Sequence, residues 1–141
     1  MPSLSSELRN QLGKAIVSAR RHAETGARNA LRSLAVDYHE PFSSMTLAER
    51  SLRKKLRAHG RQLGDDRDNV RGAQSIARLT HEVAYEHWHR MIFARFLAEN
   101  QLLIHPELKV SVSLDEIKDL ADETAEAPQV MASRFAQNSL P

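Results

Sequence analysis

The chain has 141 residues, 20 Lys and Arg against 18 Asp and Glu, 41% apolar residues and no cysteine. That length suits a single domain with one real core, and the composition excludes a disordered chain. The missing cysteines exclude disulfides, thiolate metal sites and a cysteine nucleophile. No apolar run is long enough to span a membrane and the amino terminus carries no secretory h-region, so a cytoplasmic protein is expected. The charge is asymmetric: residues 1–64 hold 12 Lys and Arg against 5 Asp and Glu, and residues 65–141 hold 8 against 13. A basic half can seek a polyanion, attract the acidic half, or be a solvated surface.

The first helix is expected from about Ser5 to Val36. Leu4, Leu8, Leu12, Ile16, Ala19, Ala23, Ala27, Ala30, Leu31 and Leu34 recur mostly three or four apart and form one stripe. Alanine in its middle predicts close packing against another helix along much of the length. The connector DYHEPFSS, residues 37–44, is broken at Pro41. Thr46-Leu47-Ala48-Glu49 reads as a capping box, and Gly60 and Gly64 place the end of the second helix. The polar stretch 64–72 reads as a joint within one domain.

A long third helix, about 73–99, carries Trp88, Met91, Ile92, Phe93 and Phe96, and so is expected to be the centre of the core. Residues 108–112 alternate as a short extended piece. Ser113-Leu114-Asp115-Glu116 is a second capping box, with its helix ending near Thr124. Pro128 opens a last helix that ends near Ser139. No internal repeat is evident. The expected architecture is all-α: four to five helices in a single domain, 1–141, around the 73–99 helix.

Catalytic constellations are absent from the sequence. His81-Glu82-Val83-Ala84-Tyr85 fails the zinc-protease box at its fifth position. Glu86 and His89 match one carboxylate–imidazole pair of a di-iron bundle, but no second copy exists. Neither a nucleophile elbow nor a glycine-rich phosphate loop occurs, so no catalytic, cofactor-binding or metal residue is assigned. Basic stripes are the stronger signal. Arg50, Lys54, Arg57 and Arg61 share one face of the second helix, flanked by Arg53 and Lys55, and are the candidate DNA-backbone contacts. Lys14, Arg21 and Arg28 lie seven apart on the first helix. Aromatic interleaving of the kind that stacks unpaired bases is missing from these stripes, which favours duplex backbone. The connector at 37–45 is too long for a helix-turn-helix.

The segment HWHRMIFARFLAENQLLIHPEL (87–108), followed by VSVSLDEIKDLA (110–121) and preceded by LRKKLRAHGRQLGDD (52–66), resembles the helical N-terminal region of large bacterial adenine-specific DNA methyltransferases of restriction–modification and phage-defence systems of the BREX and DISARM kind. The resemblance implies a methylase N-terminal region, or a naturally truncated relative, that contacts the DNA backbone or docks to a catalytic domain. It also implies S-adenosylmethionine as cofactor of the whole enzyme, which flips adenine and methylates it. The F-x-G-x-G and N-P-P-Y motifs of that chemistry are absent, so this chain alone is expected to be inactive. Two other readings stand beside it. One is a stand-alone adaptor or inhibitor that binds protein and ignores DNA; the other is a small metal-dependent enzyme using Glu86 and His89.

Overall fold

The computed structural model describes residues 3–140. Five helices form: α1 (Ser6–Ser33), α2 (Leu47–Leu63), α3 (Ala77–Glu99), α4 (Leu114–Thr124) and α5 (Pro128–Asn138). Among the described residues there is no strand, and extended pairing is limited to the isolated bridges Arg67↔Gln74 and Ile104↔Ser111. The expected all-α class holds. Among the described residues, no helix is long and apolar enough to cross a membrane.

Both capping boxes are present. Thr46 Oγ1 accepts from the Glu49 amide at 3.2 Å and Glu49 returns the bond to the Thr46 amide at 2.8 Å. Ser113 and Glu116 do the same at 3.1 and 2.7 Å. Each box satisfies two of the donors a helix start leaves open. Gly64 closes α2 in the left-handed region, at φ 100°.

The chain divides into two compact units, Met1–Glu86 and His87–Pro141, with the division inside α3 rather than in the loop at 64–72. The first unit packs Leu31, Val36, Ile76 and Leu79, with Leu34, Leu56, Leu63 and Val83 around them. Two polar pairs tie the start of α3 to its neighbours: His81 Nδ1 lies 3.3 Å from Glu24 of α1, and His59 Nε2 of α2 lies 3.0 Å from Glu82. Asp65, itself buried, accepts from the Arg78 and Leu79 amides at 2.9 and 3.0 Å. It caps α3 from outside the helix. A side chain at Gly60 would place its Cβ 2.9 Å from Gln74 Nε2, which donates to the Arg57 carbonyl at 3.0 Å.

The second unit gathers Ala94, Leu97, Leu103, Val112, Ile117, Ala121, Met131, Ala132, Phe135 and Ala136 into its own cluster. Ser139 Oγ accepts from the Ile104 amide at 2.8 Å, fixing the end of α5 to the loop after α3.

Two expectations are corrected here. The aromatic segment is not the core: Ile92 and Phe96 are about half exposed, at 48% and 56%, and Trp88, Met91 and Phe93 are only partly buried. The helix mixes polar and apolar residues around its circumference and has no single apolar stripe. Ala94 and Leu97 take the buried arc because their side of the helix meets the cluster of the second unit, and Phe96 points to the opposite side from Ala94. The long stripe of α1 is likewise covered only at its end. Ala27 and Leu31 are buried, whereas Leu8 and Leu12 are 48% and 49% exposed.

A repeat that the sequence conceals also emerges. In the loop after α2, Asp68 N donates to Ala73 O, Gly72 N to Asp68 O and Ser75 N to Asp66 O. In the loop after α3, His105 N donates to Val110 O, Lys109 N to His105 O and Val112 N to Leu103 O, each 37 positions further on. The bridges, Arg67↔Gln74 and Ile104↔Ser111, keep that offset. Positive φ recurs in the same register, at Gly64 and Gln101 and at Gly72 and Lys109.

Candidate nucleic-acid interface

The connector between α1 and α2 explains where the basic face of α2 goes. With Pro41 in it, residues 37–44 form neither helix nor strand, so their carbonyls need donors from elsewhere. The arginines of α2 supply them. Arg53 Nε donates to Ala35 O at 2.7 Å and its Nη2 to Tyr38 O at 2.6 Å. Arg57 Nη1 donates to Val36 O at 2.9 Å and to Tyr38 O at 2.6 Å, and its Nη2 reaches Gly72 O at 2.6 Å. Both side chains are buried, at 7% exposure. Burial lowers the pKa of each. At Arg57, repulsion from Arg53, Arg67 and Arg61 adds to burial, while Asp37 opposes it. An arginine remains protonated through such a shift, so both cations are held inside on carbonyl dipoles.

Arg57, a candidate DNA contact by spacing, is instead turned inward: the side chain is buried and makes three hydrogen bonds to the protein's own backbone. It sits at the inner edge of the stripe, on the arc shared by Arg53, Leu56, Gly60 and Leu63. Arg50 is half-buried, with Nε donating to Met45 O at 3.1 Å and Nη2 to Phe42 O at 3.3 Å. Arg61 is exposed and donates to Gln74 Oε1 at 3.1 Å. Lys54 is exposed. Of the four positions, Lys54 and Arg61 thus face solvent and Arg50 does so in part.

On α1, Lys14, Arg21 and Arg28 are all exposed, and no ion pair among the described residues holds them. Arg20 and Arg32 have carboxylate neighbours, Glu24 at 3.8 Å and Asp37 at 3.6 Å. The α1 face is consequently a cleaner cationic surface than the α2 face that spacing favoured. Its signal was the seven-residue recurrence. What sequence reasoning missed on α2 was that a helix beside a broken connector spends its arginines on carbonyls.

Among the described residues, no group of three or more His, Asp or Glu is placed to hold a metal ion. No protein-family model matches the chain, and neither a curated protein nor a solved structure does.

Proposed function

We propose that the chain serves as the helical N-terminal region of an adenine-specific DNA methyltransferase, lying along the DNA backbone while a separate catalytic domain binds S-adenosylmethionine and carries out methyl transfer. The observation that carries the DNA contact is the exposed face of Lys14, Arg21 and Arg28 on α1, joined by Lys54 and Arg61 on α2. Cations on one helix face, unengaged by carboxylates, suit a phosphate backbone and release counterions on binding. The test is a fluorescence-anisotropy titration of a labelled duplex between 50 and 200 mM salt. Changing Lys14, Arg21 and Arg28 together to Glu removes about three phosphate contacts, and each contributes roughly 0.9 to the log–log salt slope. An unchanged slope and affinity would exclude this face.

A second reading, a protein-interaction adaptor, is favoured by the exposed stripe of Leu8, Leu12 and Ile16 on α1, with Leu4 just before it. An exposed apolar face of this kind suits a partner helix with i, i+3 and i+4 anchors. Leu8→Gln with Leu12→Gln, which add no charge, would abolish such docking and leave the DNA titration intact.

A further inference from the structure

The connector carries two aromatic rings that the core does not use. Tyr38 is 50% exposed and Phe42 42% exposed. Their ring centroids lie 5.9 Å apart with planes at 33°, and the His39 ring lies 4.2 Å from that of Tyr38. Although the segment is irregular, its backbone is fastened. Arg53 and Arg57 each hold the Tyr38 carbonyl at 2.6 Å, and Arg50 holds the Phe42 and Met45 carbonyls at 3.3 and 3.1 Å. A loop clamped at this many carbonyls has little entropy left to lose when a ligand settles on its rings. Alongside it, Pro41, Leu47, Arg50, Ser51, Arg53 and Lys54 line a shallow cleft of about 340 Å³, to which Lys54 brings an exposed ammonium.

We propose that Tyr38 and Phe42 form a stacking platform for the unpaired bases of single-stranded DNA, with Lys54 and Arg50 on the adjoining phosphates. Every base has a π-face, so half-exposed rings beside cations suit a single strand without sequence preference. The charge distribution selects this occupant over a second copy of the chain. Arg50, Arg53 and Arg57 bond to carbonyls of the connector and Lys54 is exposed, so these four cations outnumber the connector's own Asp37 and Glu40, and a twofold contact here would bring two such surfaces together. Spacing along the chain does not reveal this platform, because its rings are on the connector and its cations on α2. The inference rests on the DNA-backbone reading above and names the form of DNA that the module holds.

The test uses the full chain, a fluorescein-labelled oligo-dT of a dozen nucleotides and a labelled duplex, with anisotropy as the readout. Tyr38→Ala with Phe42→Ala changes only exposed rings, since the arginines hold backbone oxygens, and circular dichroism checks that the helices persist. The expected result is a loss of at least ten-fold in affinity for oligo-dT, near-complete retention in Tyr38→Trp, and unchanged duplex affinity. Duplex binding with its salt slope, together with oligo-dT binding indifferent to the two alanines, overturns the platform and leaves the backbone reading standing. Failure of both DNA forms to bind overturns both. Equal losses on duplex and oligo-dT overturn the single-strand assignment. Self-association that vanishes in the double-alanine variant, read by sedimentation, puts a second copy on the patch and overturns it as well.

Discussion

Replacing Arg57 by Lys separates two roles that sequence spacing cannot distinguish. Arg57 supplies three hydrogen bonds, to Val36 O, Tyr38 O and Gly72 O, from a side chain only 7% exposed. Lysine keeps the charge but is a point donor on a shorter, flexible stem, and it cannot span three carbonyls as the guanidinium fork does. Tyr38 O keeps its bond from Arg53, so the carbonyls at risk are those of Val36 and Gly72, and at least one of them loses its donor, at about 1–3 kcal/mol where buried. The smaller cation is also harder to desolvate, whereas any water admitted to the site offsets part of the loss. The net expectation is a destabilisation of roughly 1–3 kcal/mol. With a urea m-value of about 1–3 kcal/mol/M, the midpoint followed by circular dichroism should fall by on the order of 1 M. Lys54→Ala, at an exposed neighbour on the same helix, should stay within about 0.5 kcal/mol of the parent. An Arg57→Lys midpoint matching the parent, with weakened duplex binding, would refute the clamp and return Arg57 to the phosphate-contacting face.

Asp65→Ala removes both acceptors at the start of α3 and should cost about 2 kcal/mol in the same urea assay, with Asp65→Asn losing roughly half as much. His59 accounts for one pH dependence: its hydrogen bond to Glu82, chiefly, raises its pKa above the ordinary histidine value. The resulting stabilisation is full below the unfolded-state pKa of about 6.5 and disappears as pH rises through the higher folded value. Midpoints measured from pH 5.5 to 8.5 should show this trend in the parent and not in Glu82→Gln. Asp68 has the opposite sign, because the Arg71 and Val70 amides lower its pKa. Its contribution holds above the unfolded carboxylate pKa and is lost as acid carries the pH down through the folded value, so Asp68→Asn should flatten the acid limb of the same curve. In the second unit, His105→Phe keeps the edge contact with Phe135 at 5.0 Å but loses the Nδ1 acceptor for the Glu107 and Leu108 amides. About 1 kcal/mol should be lost, and an unchanged melting temperature would mean that the ring contact alone matters there.

The parts of this fold that were legible are those written in a few adjacent residues. Thr46 with Glu49, Ser113 with Glu116, and Pro128 at a first turn set three helix starts by local chemistry, and the helices begin there. What escaped depends on partners distant in sequence. Arginines three and four apart read the same whether they face water or carbonyls; only the positions of Ala35, Val36, Tyr38 and Gly72 turn Arg53 and Arg57 inward. Apolar bulk was a poor guide to depth for a related reason. Phe96 has more surface to bury than Ala94, yet Ala94 is buried and Phe96 is not, because two residues apart on a helix they point to opposite sides and only the side of Ala94 meets the cluster.

The two matching loops show most clearly why residue identity can hide a structure. The first uses Gly64 and Gly72 at its positive-φ positions; the second uses Gln101 at φ 59° and Lys109 at φ 57°, at a cost of roughly 1 kcal/mol each. The turn between is held in one case by Asp68 Oδ1, which accepts from the Val70 and Arg71 amides at 2.9 and 3.0 Å. In the other it is held by His105 Nδ1, which accepts from the Glu107 and Leu108 amides at 3.2 Å. Core packing cannot be the shared cause. Leu103 and Val112 are buried, whereas their counterparts Asp66 and Ser75 are exposed. What the loops share is a demand of the backbone: two left-handed residues and one side-chain acceptor between them. An aspartate or an imidazole meets that demand equally well, so the repeat is conserved in hydrogen bonds while no residue type marks it in the sequence.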